Sequence, residues 1–128
     1  MLRYGVWERG EAVKNTNLAE RVIRYVLKVS DHEFAHLTIK MLAEHFAVSR
    51  CHLSRTFHNE RSMTLATFIK RQKLLRAERQ LLGNQRVTVK AVGQSLGYAD
   101  YQYFISRFKE HWGESPGRYR KLQGDLAD

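Results

Sequence analysis

The run from Val89 to Arg120, VKAVGQSLGYADYQYFISRFKEHWGESPGRYR, leaves little choice of local fold. Apolar residues recur at Val89, Val92 and Leu96, which is one face of a short helix at 3.6 residues per turn. Gly97 follows at once; with no Cβ it can take positive φ, so it ends that helix sharply. Asp100 is placed to cap the next helix, its carboxylate accepting the orphan N–H groups of the first turn. That helix repeats its apolar face at Tyr101, Phe104, Ile105, Phe108 and Trp112. Ser115 followed by Pro116 is a further N-cap with Pro at the first helical position, so a short closing helix carries Tyr119. Two short helices at a tight glycine turn, the second leaving Gln102, Tyr103, Ser106 and Arg107 off its core face, read as a helix-turn-helix.

A second such unit precedes it. Thr38 is an N-cap, with Leu37 placed to staple onto Leu42, and Ile39, Leu42, Ala43 and Phe46 form a buried stripe. Ser49 caps the following helix, which buries Leu53 and Phe57 and ends near Asn59. The stripe Ile39, Leu42, Ala43, Phe46 maps onto Val89, Val92, Gly93, Leu96 at an offset of 50, and Ser49, Leu53, Phe57 onto Asp100, Phe104, Phe108 at an offset of 51. Convergence on helix-turn-helix packing explains the echo as well as duplication does.

Upstream, Asn17 caps a helix with Glu20 in the capping-box position, and Leu18, Val22, Tyr25, Val26 and Val29 line one side of it. Ser30 to His36 reads as a polar connector. Between the two units Thr64 to Leu82 is rich in strong helix formers, with Leu65, Phe68, Ile69, Leu75 and Leu82 on an apolar side. Lys70, Arg71, Lys73, Arg76 and Arg79 oppose one acid there, Glu78, and Gly83 and Asn84 end the helix. Its length is roughly 28 Å at 1.5 Å per residue, against about 34 Å between successive major-groove faces on one side of B-DNA. A rigid helix of this size can hold two reading helices one turn of DNA apart.

No strand pattern occurs anywhere, so the expected fold is all-α with about seven helices. The expected organisation is an arm over residues 1–16, with Tyr4 and Trp7 docking on the fold, a first helix-turn-helix subdomain over 17–61, and a linker helix over 62–83. A second helix-turn-helix subdomain over 84–122 and a tail over 123–128 complete it.

Lys and Arg number 22 against 13 Asp and Glu, a net charge of +9, which points to a polyanionic partner: DNA, RNA or an anionic membrane surface. The single cysteine, Cys51, permits no internal disulfide and fits a reducing compartment. No apolar run approaches a membrane span, and residues 1–15 lack the apolar stretch of a secretory signal, so a cytoplasmic protein with no membrane partner is expected. His32 and His36 have i, i+4 spacing but no second ligand pair, so no metal is expected. Cys51 and His52 are helix neighbours pointing about 100° apart, which prevents a working nucleophile–base pair. With no phosphate loop, carboxylate pair or triad, no catalytic activity and no cofactor are expected.

The spacing GY-x-D-x3-F-x3-FK-x3-G-x2-P-x2-YR from Gly97 to Arg120 resembles the C-terminal signature of the AraC/XylS family of bacterial transcription regulators. The resemblance extends back to about Asn17. It implies a sequence-specific regulator of double-stranded DNA, expected to be an activator and nucleoid-associated. With only about sixteen residues before the match, it is similar to the short stand-alone members, which bind an asymmetric site as monomers and recruit RNA polymerase. The rival readings are a regulator of the same fold acting on other regulators or polymerase through protein contacts, and the DNA-binding piece of a larger repair or recombination enzyme.

On the first reading helix Arg50, Cys51, Ser54, Arg55 and His58 face outward, and Cys51, Ser54 and Arg55 share one strip at i, i+3, i+4. Arg55 can pair its fork with guanine O6 and N7 or hold a phosphate; spacing does not decide between them. The resemblance implies base contact, since family members present this strip to the bases, although a larger residue is frequent where this chain has Cys51. On the second helix Gln102, Tyr103, Ser106 and Arg107 form the corresponding set, with Gln102 suited to adenine and Tyr103, like Tyr98, better suited to packing than to reading. The family commonly has Arg at the position of Ser106, displaced here to Arg107, so this helix is equally suited to gripping backbone. Phosphate contacts are expected from Lys70, Lys73, Arg76, Lys109 and the helix N-terminus at Ser49, with a solvated helix face as the plain alternative for the linker cations. The resemblance supports Lys73, which falls where the family carries Arg, and Lys109, which follows Phe108 as the family's Lys does.

Overall fold

A computed structural model describes residues 17–127, with side chains through Gly124; among them every regular element is a helix. The expected arm over residues 1–16, with Tyr4 and Trp7, lies outside the described residues, as does Asp128. The helices are α1 (Leu18–Lys28), α2 (Asp31–Ala35), α3 (Ile39–His45), α4 (Arg50–Arg61), α5 (Leu65–Gly83), α6 (Val89–Ser95), α7 (Tyr101–Trp112) and α8 (Pro116–Ala127). The last runs through most of the segment read as a tail. Side-chain oxygens start most of them. Asn17 accepts from Glu20 N–H at 2.8 Å, Thr38 from Met41 N–H at 3.1 Å, Ser49 from His52 N–H at 3.0 Å and Thr88 from Ala91 N–H at 3.0 Å. Asp100 accepts from both Gln102 and Tyr103 N–H, at 2.9 and 3.2 Å.

The chain forms two compact units, and α5 gives its first residues, through Phe68, to one and the rest to the other. The first, residues 37–68 with α1, buries Ala19, Val22, Val26, Leu42, Ala43, Leu53, Phe57, Leu65 and Phe68. Phe57 and Phe68 lie 5.5 Å apart between ring centres, and Glu60 accepts the Ala19 N–H at 2.9 Å. The second unit buries Leu74, Ala77, Leu81, Val92, Leu96, Phe104 and Phe108, with Tyr98, Trp112 and Tyr119 packed against them. Arg120 ties its closing helix down: the guanidinium donates to the carbonyls of Leu81 at 3.1 Å and Val87 at 2.6 Å. Leu81 stands in the last turn of α5, where carbonyls have no intrahelical partner.

Each helix-turn-helix closes with the same pair of backbone bonds. Ala47 N–H donates to Glu44 O at 3.2 Å and Val48 N–H to Ala43 O at 3.0 Å; Gly97 N–H donates to Gln94 O at 3.1 Å and Tyr98 N–H to Gly93 O at 3.0 Å. Positive φ is required at the matching residues, 57° at Ala47 and 91° at Gly97.

Two expectations need correction. The segment from Ser30 to His36 contains a helix, α2, and residues 31–36 pack with the second unit although they precede the first helix-turn-helix. Phe34 is buried, and a Cβ at Gly97 would stand 2.8 Å from Ala35 O, so α2 lies directly on the second turn. The linker helix also lacks the single apolar stripe read from Leu65, Phe68, Ile69, Leu75 and Leu82. Leu75 and Leu82 are exposed, while Leu74, Ala77 and Leu81 are buried. One helix serves two cores, and each core takes its own set of positions; the two sets do not share a stripe.

Candidate nucleic-acid interface

In the first unit, Leu53 and Phe57 hold α4 to the core, and the opposite side carries Arg50, Cys51, Ser54 and Arg55, all exposed. The Ser49 hydroxyl stays exposed but is engaged in capping α4. Cys51, Ser54 and Arg55 line an open groove of about 430 Å³, completed by His58 and Asn59 and by Thr64 to Ala66 at the start of α5. His58, expected to face outward, is exposed and joins the strip. Its spacing, four residues from Ser54 and three from Arg55, is the signal that assigns it to the same face.

In the second unit, Phe104 and Phe108 are buried and Gln102, Tyr103 and Ser106 are exposed. Arg107 is different: half-buried, it pairs with Glu110 at 2.7 Å and its guanidinium lies 6.0 Å from the centre of the Tyr103 ring. A guanidinium already matched with a carboxylate has less to offer a base or a phosphate than Arg55 has. Tyr98 stacks at the base of this helix, 4.8 Å from Phe104. Burial, with the neighbouring Tyr103, pushes its phenol up to about 12 despite the opposing Arg107, so its ring is neutral under ordinary conditions.

The expected phosphate set divides. Lys70 and Lys109 are exposed. Lys73 is half-buried with its Nζ 4.6 Å over the Tyr98 ring, and burial lowers its pKa. Arg76 is overturned as a phosphate ligand: it is 4% exposed, donates to Asp31 at 2.7 Å and stacks 4.5 Å from the Phe34 ring. Gln80 donates to the other Asp31 oxygen at 2.7 Å. That guanidinium is a core cation satisfied by a carboxylate and a ring face, out of reach of a ligand at the surface.

Among the described residues no cluster of His, Cys, Asp and Glu could hold a metal, and no helix is long and apolar enough to cross a membrane. What the two surfaces offer is a pair of capped helices, each with donors opposite a buried Leu or Phe pair, on a basic chain.

Comparison with known proteins agrees with that geometry. The helix-turn-helix domain family matches residues 42–122. The chain is 30% identical over 99 residues to the uncharacterized HTH-type transcriptional regulator YfiF of Bacillus subtilis, covering 77% of this chain and 31% of that one. It is 30% identical over 93 residues to the arabinose operon regulatory protein of Salmonella typhimurium, covering 72% and 33%. The chain thus spans about a third of the length of these curated relatives. The DNA-binding domain of AdpA, a global transcriptional factor solved in complex with a target DNA, shares the fold with a TM-score of 0.70 at 21% identity, covering 84% of this chain and 93% of that one.

Proposed function

We propose, since the chain belongs to the AraC/XylS family of helix-turn-helix transcription regulators, that it binds duplex DNA sequence-specifically through α4 and α7. The single observation behind this reading is the exposed strip of α4. Arg50, Cys51, Ser54 and Arg55 stand on a capped helix whose opposite side is locked by Leu53 and Phe57. A major groove admits such a helix, and Arg55 then forks onto guanine while Ser54 contacts either base type. On α7, Gln102 suits adenine, Tyr103 and Ser106 flank it, and Arg107 adds little while Glu110 holds it. Lys70, Lys109 and the N-terminus of α4 at Ser49 grip phosphates. The two helices occupy adjacent major grooves of an asymmetric site; the protein acts in the cytoplasm as a monomer, recruits RNA polymerase as an activator and catalyses no reaction.

Titrating binding to duplex DNA against salt tests the core of this. The three groups named for phosphate, Lys70, Lys109 and the N-terminus of α4, give a log–log slope of about −3. A slope close to zero, or no preference among DNA sequences, removes the reading. The Arg107–Glu110 pair favours a second one, in which α7 contributes protein contacts in place of base contacts; footprints confined to one groove would support it.

A further inference from the structure

We infer that Lys73 is a positioning residue for the second reading helix, holding Tyr98 and through it Tyr103. The inference rests on the DNA reading above and adds to it a residue that sets specificity without touching DNA.

Lys73 stands on α5 with its ammonium 4.6 Å over the Tyr98 ring, and among the described residues no carboxylate pairs with it. A half-buried cation on a neutral aromatic face is held more tightly than an exposed one, because little water competes for it. Tyr98 occupies the turn between α6 and α7, its N–H bonded to Gly93 O at 3.0 Å. Its ring lies 4.8 Å from Phe104, the core anchor of α7, and 6.2 Å from Tyr103 on the outward strip. Arg107 lies 6.0 Å from the centre of the Tyr103 ring. The line Lys73, Tyr98, Tyr103 therefore begins on the linker helix and ends on the outward strip of α7, where Arg107 flanks the Tyr103 ring. The first unit has Val48 at the position matching Tyr98, which cannot make such a contact. A phosphate ligand needs its ammonium directed to solvent; this one is spent on a ring.

The test compares the parent with Lys73→Met, which keeps the stem, with Lys73→Arg, which keeps a cation, and with Tyr98→Leu. Affinities are measured for the best selected duplex and for random duplex over a range of salt. Lys73→Met is expected to reduce the preference for the selected site by about three- to tenfold, at base pairs in one half of the site only. Its affinity for random DNA and its salt slope stay at the parent values, and Lys73→Arg restores the preference. Tyr98→Leu loses the same preference, and adding Lys73→Met to it costs nothing further. A slope shallower by about one, with selected and random DNA weakened alike, makes Lys73 a phosphate contact and overturns the inference. An unchanged preference in Lys73→Met, or a failure of Lys73→Arg to restore it, overturns it too while leaving the DNA reading intact. A parent protein without sequence preference sinks both.

Discussion

At matching positions the first helix-turn-helix carries Ala43, Ala47 and Leu53 where the second carries Gly93, Gly97 and Phe104. The backbone bonds of the two turns are the same, so the difference lies in what fills and covers them. Phe104 brings a ring so close to α6 that a Cβ at residue 93 would stand 2.7 Å from its Cδ2. In the first unit the smaller Leu53 coexists with the methyl of Ala43. Likewise α2 lies against the second turn, while Ala47 takes its positive φ with a side chain in place. One backbone plan thus accepts two packings, provided helix and turn change together. The surfaces diverge in the same way: the α4 strip is free of ion pairs among the described residues, whereas Arg107 of α7 is matched with Glu110.

The sharpest way to break this comparison is at the turns. Gly97→Ala should cost about 2–3 kcal/mol, combining an unfavourable positive φ with the Ala35 carbonyl in its way. Ala47→Gly should stay within about 1 kcal/mol of the parent. Thermal melts of the two variants check both, and equal losses would mean the turns are interchangeable.

Next comes the helix contact. Gly93→Ala should cost about 1–3 kcal/mol by overpacking against Phe104. Adding Phe104→Leu, which recreates the pair carried by the first unit, should recover part of that loss; denaturant midpoints that fall additively would contradict the exchange. At the surface, Arg55→Ala should cost about 1–3 kcal/mol on the best site and little on random DNA. Arg107→Ala should cost less than about 1 kcal/mol on either, since its charge is already paired; gel-shift affinities distinguish the two.

The smallest effect is a pH asymmetry. Tyr98 and Tyr119 both have phenols raised to about 12, Tyr98 by burial and Tyr119 by burial with its hydrogen bond to Glu78. A raised folded pKa means these phenols support folding fully below pH 10 and lose that support as pH rises toward 12. Lys73 works the other way: burial lowers its pKa, so its cost to folding is present at neutral pH and fades as it loses its proton. Circular dichroism melts should therefore show a net fall in stability above pH 10, and Tyr98→Phe should make the fall shallower.

What could be read from the chain alone was whatever a few neighbouring residues decide. The caps at Asn17, Thr38, Ser49 and Asp100 are where side-chain chemistry places them, because donor and acceptor sit within three residues. The outward strips of α4 and α7 follow from periodicity in the same local way. Thr88 carries the same cap chemistry but stands behind Val87, ahead of a stripe that begins at Val89. What periodicity cannot rank is a cation on a helix that two cores share. Lys70, Lys73 and Arg76 look alike in sequence, yet Lys70 is exposed, Lys73 lies on Tyr98, and Arg76 is buried on an aspartate 45 residues earlier. The five-residue α2 is invisible for the same reason: Asp31 and Phe34 have no apolar rhythm of their own, and Arg76, Gln80 and the Gly97 turn make them structural.

During synthesis Asp31, Phe34 and Ala35 leave the ribosome well before Arg76, Gln80 and Gly97. At about 5–20 residues per second the wait for Gly97 is about 3–12 s. The buried set of the first unit is complete once Leu65 and Phe68 have been made, whereas the partners of α2 are still to come. A protease cut at Met63 would consequently leave two incomplete pieces. The leading fragment would keep α2 without the residues it packs on, and the trailing fragment would keep those residues with nothing to lay over Gly97.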